Sequence, residues 1–125
     1  MLIICDSINQ KELKVLEDYF PESKLIKSGK KVKDGIGKEI KGSTIKNSKL
    51  IKLNLTSKQG DGRVVFLVVI KKKFYIPVIL KLKKDKIIGN NMTIKNKKFQ
   101  QLLNTNLDLI FDDIKNKRYK KYKLD

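Results

Sequence analysis

The hydrophobic positions change their period several times along the chain, and each change marks an element. "MLIICD" is a short apolar run that reads as a strand. "SINQKELKVLEDYF" places Leu13, Leu16 and Phe20 at i, i+3 and i+7, the spacing of one helix face. Asp6 or Ser7 can cap that helix and Pro21 stops it. Residues 22–47 are basic and contain four glycines, so the pattern supports only a short, weak helix around Leu25 to Lys41. "KLIKLNLT" at 49–56 alternates, with Ile51, Leu53 and Leu55 on one face. "SKQGDG" is a turn. "RVVFLVVI" at 63–70 is apolar throughout, as a central strand covered on both faces must be. After the basic turn "KKK", "FYIPVILKL" at 74–82 gives a third strand, in which Pro77 demands an edge or a bulge. The last element is a helix from about Ile94 to Lys117. Thr93 is its cap, and Phe99, Leu103, Leu107, Ile110 and Ile114 form its stripe, joined by Leu102 and Phe111.

The predicted order is strand, helix, basic segment, three-stranded meander, helix. That is an α+β fold, a twisted antiparallel sheet packed against N-terminal and C-terminal helices. The 125 residues suffice for one domain with one modest core, ending in a basic tail at about 116–125.

Charge changes the picture most. Thirty Lys and Arg stand against thirteen Asp and Glu, a formal net charge of +17. Such an excess points to a polyanionic partner. The wealth of Lys, Asn and Ile also fits AT-rich coding, which accounts for part of the basicity without any partner. Only two of the cations are arginines, Arg63 and Arg118. Where lysine is the default, an arginine marks a place for a planar, always-charged fork. The chain has no histidine, which removes histidine-based triads and zinc sites. Its lone cysteine, Cys5, lies in the first apolar run and reads as a small core residue in a reduced, cytoplasmic setting. No apolar run approaches the ~20 residues of a membrane helix. No cofactor or metal motif is present.

Two clusters can carry chemistry. In an antiparallel meander, Arg63 at the start of the middle strand lies near Thr56 on one side and Lys81, Lys83 and Lys84 on the other. Lys52 and Asn54 project from the first meander strand. This gathers cations beside a glycine-rich turn that a phosphate backbone can approach. Solvated lysines guarding a sheet edge give the same pattern. The tail offers Arg118, Tyr119 and Tyr122 among lysines, suited to gripping phosphates and stacking on bases. Tyr119 also offers a phenol for acid–base work, while a frayed, solvated helix end is the plain reading. Asp108, Asp112 and Asp113 read as a solvated helix face, and Glu12 and Glu17 as surface charges.

The segment "SKLIKLNLTSKQGDGRVVFLVVIKKKFYIPVILKLKKDK" resembles the RelE/ParE superfamily of toxins from type II toxin–antitoxin pairs. Leu50–Leu55, Gly60–Gly62, Arg63–Ile70 and Tyr75–Lys84 follow the family's order, and "GIGKEIKGS" resembles the segment that leads into its meander. The resemblance covers residues 35–86. It implies a ribosome-dependent mRNA endonuclease that cleaves through attack by the RNA's own 2′-hydroxyl. Arg63 would then hold the phosphate. Lys83 or Lys84 would neutralise charge or assist proton transfer, and Lys52 would be the cation on the first meander strand. It also implies a cognate acidic antitoxin, lying over the cationic sheet end or the last helix, with the ribosome and mRNA as partners. Several ribonuclease branches use a histidine, so a lysine, arginine and tyrosine set is what remains here. The alternatives are a ParE-like inhibitor of DNA gyrase and a non-catalytic nucleic-acid-binding module.

Overall fold

The computed structural model describes residues 1–124. The alternating and all-apolar runs form strands where their pattern places them. β1 is Leu2–Cys5, β3 Ser48–Leu55, β4 Gly62–Val69 and β5 Phe74–Leu82. Two further strands escape the hydrophobic pattern: β2, Lys38–Ile40, and β6, Tyr119–Tyr122. The sheet therefore has six strands among the described residues, in the order β2-β3-β4-β5-β1-β6. β1 runs parallel to β5 and all other pairs are antiparallel. The fold class is α+β, with a mixed sheet rather than a purely antiparallel one.

β4 is the centre. Val64, Val65, Phe66 and Leu67 are at most 1 % exposed, so both of its faces are covered. The helices lie on both sides. α2, Glu22–Lys33, packs on one face of the sheet, and α3, Lys97–Lys115, packs on β5 and β1. The basic segment thus forms a regular 12-residue helix despite Gly29. A side chain at Gly29 would approach Leu2 Cδ1 to 3.2 Å, so this glycine lets α2 settle closely on β1. Tertiary packing outweighs the propensity cost of the glycine. α3 starts at Lys97 rather than near Ile94. Its cap is Asn96, not Thr93: the Asn96 side chain accepts hydrogen bonds from the N–H groups of Lys98 and Phe99. Phe111 leaves the predicted stripe and is 67 % exposed.

The first helical segment, α1, is irregular. It passes from an α-turn (Asp6–Ile8) through a π-turn (Asn9–Leu13) to a 3-10 turn (Lys14–Leu16). Neither Asp6 nor Ser7 caps it with its own side chain. The cap comes instead from Asp113 on α3, which accepts from the Ser7 N–H at 2.8 Å and the Ser7 hydroxyl at 3.1 Å. A carboxylate at a helix N-terminus satisfies free N–H groups and opposes the helix dipole. Asp113 is 1 % exposed, so the expected solvated aspartate face holds a buried structural acid. Asp113 also accepts from Arg118 Nε at 3.1 Å, and Asp112 pairs with the same guanidinium. That clamp turns the chain from α3 into β6. The expected loose tail is thereby a sheet strand, and Leu124 beyond it is buried; Asp125 lies outside the described residues.

Pro77 sits in a strand paired on both sides and forces a bulge there. Val65 pairs with Ile79 but Phe66 pairs with Pro77, leaving Val78 as the extra residue. Its carbonyl accepts from the buried Asn106 amide at 2.8 Å, and Asn106 in turn accepts from Lys11 at 2.7 Å. One polar side chain of α3 thus joins the bulge to α1. Asn106→Leu should destabilise the fold by about 1–3 kcal/mol, the cost of leaving buried polar groups unpaired. Urea unfolding checks this, and an unchanged midpoint would contradict it. Burial pushes the Cys5 thiol up to about 12, with Asp113 and Asp6 adding to the rise. Native Cys5 should therefore resist alkylation at pH 8, where its thiolate fraction is about 10⁻⁴. Labelling should need denaturant.

Candidate functional site

Hairpin register builds the site. At one end of the sheet Asn54 pairs with Arg63, and Arg63 pairs with Lys81, across β3, β4 and β5. Two residues back on β3, Lys52 pairs with Lys38 of β2. Directly paired residues share a face and alternate residues do too, so Lys38, Lys52, Asn54 and Arg63 project from one face. They line an open cavity of about 570 Å³ with Lys31 of α2, over a floor that includes Leu53. None of its lining residues is a carboxylate. Gly37 closes one side with φ +112°; a side chain there would come within 2.6 Å of Ile51. Glycine is what the tight approach of β2 requires.

The electrostatics of this cavity are unfavourable to the empty protein. Lys52 is held below the ordinary lysine value, first by burial, then by the positive charges of Arg63 and Lys38. Both effects penalise the ammonium form. Charged Lys52 therefore costs stability below its lowered pKa, and the cost fades as pH rises through that value toward 10.5. Arg63 donates from Nη1 to the carbonyls of Gly89 and Asn90, each at 3.1 Å, which tethers the loop after β5. Its buried Nε has no protein partner. Arg63 pairs with neither Asp61 nor a helix carboxylate among its described hydrogen bonds and ion pairs; its neighbours leave its charge uncancelled.

The other expected cations lie differently. Lys81 faces Glu12, which is 2 % exposed and lies 3.4 Å away. Glu12 also accepts from the Leu80 N–H at 3.2 Å. β1 is only four residues long and β5 nine, so this N–H lies on a stretch of β5 edge that β1 does not reach. Glu12 covers it, which corrects its reading as a surface charge. Lys81 and Lys84 line a second cavity, of about 430 Å³, beside Glu12 and Asp85. Asp85 is held below the usual carboxylate range chiefly by the Ile88 N–H. That cavity is charge-balanced where the first is not. Lys83 is exposed, and its backbone N–H donates to Asp61 at 2.9 Å.

The tail residues stand apart. Tyr119 pairs with Cys5 on β6, three strands from Arg63, or about 14 Å at ~4.8 Å per strand. Arg118 is engaged by Asp112 and Asp113. Tyr122 pairs with Leu2 at the other end of β6. Burial and then Glu22 raise its phenol's pKa, which opposes ionisation. The turn glycine next to Arg63 is not an open approach either: the space beside Gly62 is filled by Phe20, whose ring would lie 2.7 Å from an added side chain.

The sheet end thus unites Lys52, Asn54 and Arg63 from the expected set, with Lys81 alongside. It adds Lys31 and Lys38, which the sequence hid in its least patterned segment. Among the described residues no cluster of three or more acid, Cys or His side chains could hold a metal, and no helix is long and apolar enough to cross a membrane. No protein-family model matches the chain, and no curated protein matches it.

Arg63→Gln should raise the pKa of the Lys52 ammonium by removing one of its repelling charges. It should not restore the full lysine value, because burial remains. Titration of the lysine Nζ signal by NMR measures this, and an unmoved Lys52 would contradict the coupling.

Proposed function

We propose that the chain is a RelE/ParE-like toxin that cleaves mRNA on the ribosome, with the Lys38–Lys52–Arg63 cavity as its active site. The observation that carries this reading is the cluster of mutually repelling cations in a cavity lined by no carboxylate. A phosphodiester supplies the missing negative charge. The succession of strand, two helical segments, meander and long helix also supports the resemblance.

The chemistry follows from the residue types. The 2′-oxygen attacks the adjacent phosphorus and the bond to the 5′-oxygen breaks, leaving a 2′,3′-cyclic phosphate and a 5′-hydroxyl. The 2′-hydroxyl must lose a proton and the departing oxygen must gain one. Lys52, whose ammonium is disfavoured in the folded protein, serves as the base in its neutral form. Arg63 stabilises the extra charge on the phosphorane. Lys38 supplies the compensating proton. The rate should rise with pH as Lys52 deprotonates, and level off above its lowered pKa.

Cleavage mapping in a reconstituted translation reaction tests the proposal. Arg63→Ala should lose about 10²-fold or more in rate. Lys52→Arg, which keeps the charge but cannot act as a base at neutral pH, should lose cleavage while retaining RNA binding. Absence of ribosome-dependent cuts by the unaltered chain would contradict the proposal.

One observation favours a second reading, a non-catalytic nucleic-acid-binding module. Tyr119, the phenol expected to share the acid–base work, lies three strands from Arg63. On that reading Lys52→Arg binds RNA normally and the unaltered chain does not cut it.

A further inference from the structure

The cationic surface does not end at the Arg63 cavity. A second cavity, of about 230 Å³, adjoins it between α2 and the end of β3. The two share Lys31 and Asn54. The second is lined by Lys24, Lys27 and Lys31, which occupy one face of α2 at i, i+3 and i+7. Opposite them stand Asn54 and Thr56. β2 begins its pairing at Lys52, so the edge of β3 beyond that point has no strand beside it. The result is one continuous groove with α2 as one wall and the free β3 edge as the other. Neither cavity is lined by a carboxylate or by an aromatic ring.

From this geometry we infer that the groove between α2 and the β3 edge is a track for the sugar–phosphate backbone of single-stranded RNA, leading to Arg63. The inference rests on the proposed RNA reading and adds the path of the strand. Lys24 to Lys31 spans about 10 Å of helix. At ~3.4 Å or more per nucleotide this covers about three nucleotides. Lysines make point-charge contacts to phosphates, and the amide of Asn54 and the hydroxyl of Thr56 add hydrogen-bonding groups. Without an aromatic platform the groove has nothing on which bases can stack, so recognition along it is independent of sequence. Lys24 already reaches the strand and donates to the Thr56 carbonyl at 2.6 Å. Lys27 and Lys31 are exposed, and no hydrogen bond or ion pair of theirs competes with a phosphate among the described contacts.

The test uses the full chain and a fluorescent 2′-O-methyl RNA 12-mer of mixed sequence. That probe lacks the attacking hydroxyl, so it is bound and not cut. A Lys27→Glu/Lys31→Glu variant is compared with Lys71→Glu/Lys72→Glu, which makes the same charge change in the turn at the opposite end of the sheet. The groove variant should weaken binding tenfold or more and flatten the slope of log Kd against log salt by about two, near one per lost phosphate contact. The turn variant should keep the slope and weaken binding less. Equal weakening by both, with equal slopes, would mean diffuse charge attraction and overturn the track. Polyglutamate that binds more tightly than the RNA, with the same dependence on Lys27 and Lys31, would also overturn it, in favour of an acidic protein partner. Cleavage mapping of the unaltered chain separates the two levels. A track without cleavage upholds the groove and sinks the nuclease. Cleavage with a groove variant that behaves like the turn variant does the reverse.

Discussion

The site depends on the bulge that Pro77 forces into β5. A proline has no N–H to give to the ladder, yet this strand is flanked by both β4 and β1. The extra residue, Val78, shifts the register by one. Before the bulge Phe66 meets Pro77; after it Arg63 meets Lys81. With no bulge Arg63 would oppose Leu80, and Lys81 would turn to the other face. The bulge therefore brings a second cation beside Arg63. It also frees the Val78 carbonyl, which Asn106 takes up, and Asn106 engages Lys11. One backbone defect thus fixes the sheet register, the seat of α3 and the position of α1.

Carboxylates explain why charge accumulates at only one place. The chain has few acids, and its buried ones are committed to structure. Asp113 caps α1 and, with Asp112, clamps Arg118; Glu12 covers the Leu80 N–H and faces Lys81. None of those lines the cavity of Lys31, Lys38, Lys52 and Arg63. Like charges held together in a partly buried site cost free energy that an anion would recover. That excess, more than the net charge of +17, distinguishes the sheet end from ordinary lysine-rich surface.

The meander was legible because its signals are local. Alternation in 49–56, the all-apolar run after Arg63 and the turn residues between them define three strands within a few residues each. Pro77 announced its bulge for the same reason. What stayed hidden depends on distant partners. β2 and β6 are short and polar, and pair only because β3 and β1 offer them edges. Glu12 and Asp113 look like surface acids because their partners are 68 and 106 residues away. Gly29 looks like a helix breaker until Leu2 is seen beneath it. Lys31 and Lys38 lay in the segment with the weakest pattern, so only the fold brings them to Arg63.

The most direct test of the account is to follow all lysine Nζ signals by NMR while the 2′-O-methyl RNA is added at moderate salt. The account predicts that Lys31, Lys38 and Lys52 shift most, and that the Lys52 ammonium becomes harder to deprotonate as a phosphate offsets its neighbours. Shifts spread evenly over Lys71, Lys72, Lys120 and Lys121, with Lys52 unmoved, would contradict it.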